Sequence, residues 1–211
     1  MPLLQAAQRS PEWFAARKGK LTASLAAACL GFDKYCSKQK AYRSIIGTHT
    51  ETENKHMRWG SEFEAAARQA YECETGNLVE ETGFWIHPDH PWLGASPDGL
   101  IGSDGAIEIK CPSKHPEKVP INHRIQMIVQ MACTGRRWCD YATFACTDQS
   151  LGMTLVVRRI VCPPTSGLIL MLKAFYVNYV MTMTEPPRKR RKTNGKGKSE
   201  TTSEEAKAGT P

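Results

Sequence analysis

The sequence lacks the features that would place it in a membrane or in an oxidising compartment. No stretch approaches the roughly 20 apolar residues of a membrane span, and the nearest, residues 167–183, is interrupted by Lys173 and Asn178. Residues 1–8 show neither a basic region nor a long apolar run, so no secretory signal peptide is predicted. The eight cysteines form no Cys-x-x-Cys pair. We therefore predict a soluble, cytoplasmic protein whose cysteines are reduced and mostly buried.

The positive charge of the chain is concentrated at its C-terminal end. The formal net charge is +7, so a polyanionic partner is worth considering, but residues 185–211 alone hold eight Lys or Arg against four Glu. That segment has no large apolar residue, so it cannot bury enough surface to offset its ordering entropy. The length suits a single hydrophobic core. We predict one folded domain over residues 1–184 and a basic, disordered tail over residues 185–211.

Hydrophobic periodicity and capping residues predict the helices. Ser10-Pro11 has the form of an N-cap followed by a first-turn proline, and a glycine stands where several helices should end. In the fifth helix, Ile121, Ile125, Ile128 and Ala132 are predicted to share the buried face. The predicted helices cover residues 10–17, 21–31, 37–47, 55–75, 121–134 and 163–184.

Short apolar runs separated by glycine and proline predict a small sheet. Asp98-Gly99 and Asp104-Gly105 are turn signals that bracket a hairpin-like segment, and residues 106–110 alternate between apolar and polar, as a strand does. The predicted strands lie near residues 84–86, 92–93, 106–110, 139–146 and 153–161. This order of elements favours the α/β class, with a small mixed sheet flanked by helices in one layered domain.

The pattern with the clearest chemical meaning is Asp98 in a turn, followed on the next strand by Glu108-Ile109-Lys110. Residues i and i+2 of a strand lie on one face, roughly 6.6 Å apart, so Glu108 and Lys110 share a face while Ile107 and Ile109 point into the core. A hairpin would bring Asp98 beside Glu108. Two carboxylates suit Mg²⁺, and a neighbouring lysine can orient water or stabilise charge on a phosphate. The alternative is an ordinary turn beside a solvated strand face.

Two further groups of residues could extend such a site. Glu64 lies on the apolar stripe of its helix, where an acid is costly unless it is paired or metal-bound; a salt bridge or an edge position is the alternative, and Glu62 is its rival. Arg17 precedes residues 21–24, which open the next helix and include Ser24, so a guanidinium, a hydroxyl and free backbone N–H groups could form a phosphate pocket. An arginine near a capping serine is also commonplace.

Taken together, these residues resemble the lambda-exonuclease, or YqaJ-like viral recombinase, family of the PD-(D/E)xK nuclease superfamily. The resemblance covers about residues 10–160, and it is the combination of blocks in this order that is specific. The blocks are residues 13–24 (WFAARKGKLTAS), 59–64 (WGSEFE), 94–99 (GASPDG), 108–112 (EIKCP) and 126–135.

The resemblance implies a role for each matching residue. Glu64, Asp98 and Glu108, with the carbonyl of Ile109, would hold one or two Mg²⁺ ions, with Mn²⁺ as a substitute, and Lys110 would position the hydrolytic water. The pocket for a 5′-phosphate would comprise Arg17, Ser24 and Ser96. The family's helix carries a Gln-x-Gln pair; here Gln126 matches the first, Ile128 stands at the second, and Gln130 lies one turn beyond Gln126.

The resemblance also implies an activity and its partners. The exonuclease domain, residues 1–184, would digest one strand of linear, 5′-phosphorylated duplex DNA from the 5′ end, releasing mononucleotides and leaving a 3′ overhang for phage-type recombination. Relatives of this kind form a homotrimeric ring, work with a single-strand annealing protein, and are encoded by phages or prophages in bacterial cells. The alternatives are another PD-(D/E)xK endonuclease, a Cas4-like iron–sulfur nuclease, or a non-catalytic DNA-binding module.

Overall fold

The computed structural model describes residues 3–4, 8–49, 55–148 and 152–188. The helices are α1 (Pro11–Arg17), α2 (Ala23–Leu30), α3 (Lys38–Ile45), α4 (Lys55–Thr75), α5 (Ile121–Thr134) and α6 (Ser166–Phe175), and α6 continues as a π-helical segment, Tyr176–Met181. The strands are β1 (Leu3–Leu4), β2 (Leu21–Thr22), β3 (Phe84–Ile86), β4 (Leu93–Ala95), β5 (Gly99–Ile101), β6 (Gly105–Lys110), β7 (Trp138–Asp148) and β8 (Gly152–Val161).

The predicted helix starts are confirmed at two serines. The Ser10 side chain accepts a hydrogen bond from the Trp13 backbone N–H and caps α1, with proline in the first turn. The Ser37 side chain accepts from the Lys40 N–H and caps α3. Each cap satisfies an N–H group that the helix itself leaves unpaired, which is why these starts could be predicted from sequence.

The larger sheet has the strand order β5-β6-β7-β8. The predicted hairpin is confirmed, because β5 and β6 pair antiparallel with Gly99 opposite Ile107. Strand β7 pairs parallel with β6 and antiparallel with β8. A parallel pair needs a crossover connection, and α5 supplies it. The core under this sheet includes Ile107, fully buried, and Ile109, 5% exposed, as the alternation predicted.

The smaller sheet corrects one predicted boundary. Leu21 and Thr22 were predicted to open the second helix, but they form β2, which pairs parallel with β4 through Leu21↔Leu93 and Thr22↔Gly94. Two residues are too few to show the alternation that predicts a strand, and β2 forms because β4 supplies its hydrogen-bonding partner. The helix α2 begins at Ala23, and Gly31 ends it in the left-handed conformation, with φ 84°.

The predicted buried face of α5 is wrong in part. Ile125 is buried, but Ile121 is 53% exposed, and Ile128 is only half-buried. The helix packs on two sides: Ile125, Val129 and Cys133 face the cluster around α2, whereas Met127 and Met131 face Tyr141 and its neighbours on the larger sheet. A single-stripe pattern cannot describe a helix that is covered on two sides.

The remaining predictions concern the cysteines, the last helix and the tail. All eight cysteines are free; three are buried, three are half-buried and two are exposed. The last helix begins at Ser166, and chain contacts continue past residue 184, since Glu185 pairs with Arg43 at 2.6 Å and the Pro186 carbonyl accepts from Gln39. The rest of the predicted tail, 189–211, lies outside the described residues. Among the described helices, none is long and apolar enough to cross a membrane.

Candidate active site

The β5–β6 hairpin brings Asp98 and Glu108 together. The Asp98 N–H donates to the Ile107 carbonyl at 3.2 Å, and the Ile109 N–H donates to Asp98 Oδ2 at 2.6 Å. These two bonds fix the carboxyl of Asp98 across the backbone of β6, between Glu108 and Lys110. The pairing of the two hairpin strands therefore brings Asp98 and Glu108 next to each other.

Glu108 is fully buried, and its oxygens are held by donors from two elements. From α5, Gln126 Nε2 donates to Oε1 at 2.7 Å, and Gln130 Nε2 donates to Oε2 at 2.5 Å. From the same strand, Lys110 Nζ forms an ion pair with Oε1. Both predicted glutamines thus meet the same carboxylate, one helical turn apart, which a Gln-x-Gln spacing would not have suggested.

The surroundings of Asp98 oppose the ionisation of its carboxyl group. Burial, then the negative charges of Glu108 and, more weakly, Glu64, raise the pKa of Asp98 well above its ordinary value, although Lys110 acts in the other direction. Burial alone would lower the pKa of Lys110, but the carboxylates of Glu108 and Asp98 outweigh it and raise that pKa. The lysine is therefore a fixed cation at neutral pH, suited to orienting water and stabilising negative charge rather than to accepting a proton.

Glu64 lies at the edge of this group on α4. Its side chain is 33% exposed, and its Oε2 lies 3.9 Å from Nη2 of Arg9, which is itself 62% exposed. Its effect on the pKa of Asp98 places it near the carboxyl pair, whereas Glu62 is exposed. Glu64 is therefore an acid at the edge of the group with an ion-pair partner, and its charge also contributes to the raised pKa of Asp98.

The donor set fits a hard divalent cation. Mg²⁺ is held through one or two carboxylates and keeps several of its waters. Asp98 and Glu108 supply such a pair, and the negative charge of Glu108 opposes the ionisation of Asp98, which a cation would favour. Across the part of the chain that the structure describes, no group of three His, Cys, Asp or Glu side chains is close enough to hold a metal ion. The geometry thus brings together two of the three predicted carboxylate ligands, with Glu64 further out.

The predicted phosphate pocket is organised around Trp13, which is 8% exposed. The guanidinium carbon of Arg17 lies 3.9 Å from the centre of the Trp13 ring, and Trp13 Nε1 donates to Ser96 Oγ at 2.9 Å. Strands β2 and β4 run parallel with Thr22 opposite Gly94, and Ser96 follows the end of β4, while Ser24 lies in the first turn of α2. Trp13 therefore joins Arg17 and Ser96, whereas Ser24 Oγ contacts the Thr22 hydroxyl at 3.2 Å.

Three residues at this site were not singled out by the sequence. Trp13 was only part of a motif. His123 Nδ1 lies 2.8 Å from the hydroxyl of Tyr141, and Tyr141 is opposite Glu108 in the β6–β7 register. The signal for His123 was present, because it precedes Gln126 by three positions and Gln130 by seven, which is one face of a helix. No local signal identified Tyr141.

The sequence matches the model of the YqaJ-like viral recombinase domain over residues 12–137. It is also 35% identical to an alkaline exonuclease (LHK-Exo) from Laribacter hongkongensis, with a TM-score of 0.69, over 82% of this chain and 94% of that one. The chain belongs to the YqaJ-like viral recombinase domain family. A second structure of LHK-Exo, in complex with dAMP, is 34% identical with the same TM-score and coverage.

A more distant solved structure shares the fold. A phage-related exonuclease from Haemophilus somnus 129PT is 15% identical, with a TM-score of 0.58, over 78% of this chain and 96% of that one; at this identity the likeness concerns the fold alone. A comparison with curated proteins found no match. The predicted class is confirmed as mixed α/β, with small mixed sheets flanked by helices in a PD-(D/E)xK nuclease core. Membership of the YqaJ-like family and the likeness to LHK-Exo support a nuclease activity.

Proposed function

We propose that this chain is a Mg²⁺-dependent DNA exonuclease that digests one strand of linear duplex DNA from its 5′ end. The products would be mononucleotides and a duplex with a 3′ overhang suited to phage-type recombination. The observation that carries the proposal is the meeting of Asp98, Glu108 and Lys110 at the hairpin, in a chain 35% identical to an alkaline exonuclease over nearly all of that enzyme.

Each residue of the group would have a distinct task. Asp98 and Glu108, with Glu64 and the Ile109 carbonyl, would hold one or two Mg²⁺ ions, or Mn²⁺ in their place. Such an ion supplies Lewis-acid polarisation of the phosphate and a more acidic bound water. Gln126 and Gln130 would keep the Glu108 carboxylate in one orientation through their amide hydrogens, as second partners of metal ligands do.

Lys110 would act as a cation throughout the reaction. Its pKa is raised by two carboxylates, so it would orient the attacking water and stabilise the negative charge that grows on the phosphate. The Lys110 side chain is 33% exposed, so water screens part of this stabilisation.

Arg17, Ser24 and Ser96 would bind the terminal 5′-phosphate. The Trp13 ring packs under the Arg17 guanidinium, and its indole N–H fixes the Ser96 hydroxyl, so both phosphate donors are oriented before DNA arrives. A guanidinium and hydroxyls suit a phosphate dianion. Binding the end there would place the next phosphodiester near Asp98, which is how an end-dependent enzyme would measure one nucleotide per cut.

The decisive experiment uses linear duplexes labelled at either the 5′ or the 3′ end, with Mg²⁺ or EDTA. We expect labelled mononucleotide from the 5′ label at once, no early mononucleotide from the 3′ label, and no digestion of closed circular DNA. Early release from the 3′ label would contradict the polarity, and cutting of circles would indicate an endonuclease instead.

Variants test the site within the same assay. Lys110→Ala should abolish turnover, and Glu64→Gln should lower it, whereas Glu62→Gln, on the same helix but exposed, is the matched control. Arg17→Ala should reduce the preference for 5′-phosphorylated over 5′-hydroxyl ends, with exposed Lys18→Ala as its control. Equal digestion of both kinds of end by the unmodified protein would contradict the phosphate pocket.

The assembly and the partner are proposed on the family resemblance. We propose a homotrimeric ring that encircles the duplex, a single-strand annealing protein as the partner, and a site of action in the cytoplasm of a bacterial cell that carries a phage or prophage. Sedimentation equilibrium measures the first directly: a monomer at micromolar concentration, with and without DNA, would contradict the ring.

A further inference from the structure

A row of polar side chains lies between α5 and the larger sheet and extends beyond the residues assigned above. On α5, His123, Gln126 and Gln130 share one helical face. On the sheet, Glu108 and Tyr141 are register partners in parallel strands, so their side chains lie next to each other. The two glutamines hold Glu108, and His123 holds the Tyr141 hydroxyl at 2.8 Å.

This polar contact is not needed to attach the helix. Met127 and Met131, fully or almost fully buried, already pack α5 against the cluster that contains Tyr141. The Tyr141 hydroxyl sits on a side chain that is 1% exposed, and a buried hydroxyl costs free energy unless it is hydrogen-bonded. A phenylalanine with an apolar partner would avoid this cost. The pair therefore points to a role in the neighbouring chemistry.

Tyr141 lies next to Glu108, the ion-pair partner of Lys110, and the charge of Lys110 affects both members of the pair. Burial, then the positive charge of Lys110, lowers the pKa of His123 to about 4, although Glu108 and Asp33 act in the other direction. Burial raises the pKa of Tyr141 to about 12, with Lys110 opposing and Glu108 adding to it. At neutral pH both side chains are therefore uncharged, and they interact with each other through a hydrogen bond.

We propose that His123 and Tyr141 form a positioning pair that holds the Lys110 ammonium in its working orientation. Lys110 Nζ shares Glu108 Oε1 with Gln126, and this oxygen is one that the proposed cation would also use. Tyr141 lies next to Glu108 across the β6–β7 pair, so its oxygen, aligned by His123, would be the acceptor that keeps the ammonium in place when Glu108 binds the cation. The inference rests on the proposed nuclease function and adds two residues to it.

The test is a double-mutant cycle in single-turnover digestion of a linear duplex. Tyr141→Phe and His123→Ala should each lower the rate constant on the order of 10-fold, as loss of an orienting partner does in metal sites. Because both changes break the same contact, the double variant should be no slower than the slower single variant. His123→Asn, which keeps a hydrogen-bonding group near the position of Nδ1, should recover much of the rate.

The matched control is Tyr71→Phe. Tyr71 also buries a hydroxyl bond, donating to Asp140 Oδ2 at 2.7 Å, but Asp140 precedes Tyr141 and so lies on the opposite face of the sheet. This control should lose comparable thermal stability and keep its turnover. A rate loss in Tyr71→Phe equal to that in Tyr141→Phe would show that stability alone is responsible, and would overturn the proposal.

Two readouts separate positioning from substrate contact. DNA affinity in EDTA should be unchanged in His123→Ala; a loss of affinity that accounts for the rate loss would overturn the proposal. In metal-free, ¹⁵N-histidine-labelled protein, Tyr141→Phe should shift the His123 Nδ1 resonance; no shift would overturn the pair itself. Additive rate losses in the double variant, or normal rates in both single variants, would overturn the positioning role of the pair but leave the proposed nuclease function standing. If the unmodified protein digested no DNA, the proposed nuclease function itself would be overturned.

Discussion

Replacing Glu108 by glutamine tests whether this carboxylate is stabilised by its neighbours in the metal-free protein. Its oxygens accept from Gln126, Gln130 and Lys110. In Glu108→Gln, the new amide keeps one acceptor and turns an NH₂ group toward a donor. The variant also removes the carboxylate that forms the ion pair with Lys110 Nζ.

The expected loss follows from three contributions. Removing one partner of a buried ion pair costs roughly 3–5 kcal/mol. Lys110 is 33% exposed, so water recovers part of this, and the loss of negative charge beside Asp98 relieves a repulsion. We therefore expect a net loss of about 2 kcal/mol, which for a chain of this size lowers the melting temperature by roughly 4–8 °C.

Asp98→Asn should raise the stability of the metal-free protein, whereas Glu108→Gln should lower it. Asparagine keeps an oxygen for the Ile109 N–H, as Asp98 has at 2.6 Å, and removes a charge that burial and two acids oppose. A raised pKa means that the folded state holds the proton more tightly than the unfolded state, so ionisation of Asp98 destabilises the fold as pH rises. The stability gain of Asp98→Asn should therefore grow with pH.

Both variants are measured by thermal unfolding in EDTA, followed by circular dichroism from pH 6 to pH 9. The expected result is a lower melting temperature for Glu108→Gln and a higher one for Asp98→Asn at pH 8. A Glu108→Gln protein as stable as the parent would refute the reasoning, because it would mean that the three donors give the carboxylate no net stabilisation.

Three other predictions concern pH, metal and packing. Burial and Lys110 lower the pKa of His123 from 6.5 to about 4, so as the pH falls the unfolded chain takes up this proton before the folded protein does. The free energy of unfolding should therefore fall by up to about 3 kcal/mol between these two pH values. Urea titrations measure it, and the same fall in His123→Asn would contradict the reasoning. Calorimetric Mg²⁺ affinity should increase with pH because Asp98 must ionise to bind, and a flat profile would count against Asp98 as a ligand. Gly94→Ala should cost about 1–3 kcal/mol, since its Cβ would lie 2.3 Å from Phe84 Cζ, whereas Gly167→Ala, with open space around it, should not destabilise.

The parts of the site that the sequence predicted are those that depend on local rules. Glu108 and Lys110 share a face because side chains alternate along a strand, and Asp98 meets them because a short hairpin pairs residues that are close in sequence. The helix starts at Ser10 and Ser37 follow from capping, which is also local. The family resemblance added Gln126 and Gln130, which no local rule would have connected to Glu108, and it added Ser96 to the phosphate pocket that Arg17 and Ser24 had suggested.

The amino-acid sequence by itself determined the hairpin, the two carboxylates and the lysine, because these depend on a period of two and a turn. Only the tertiary structure decided that Glu108 is fully buried, that α5 is covered on two sides, that residues 21–22 form a strand, and that His123 reaches Tyr141. Each of these depends on how the crossover helix and two parallel strand pairs are placed, and contacts between elements far apart in sequence leave no periodic signal in either element.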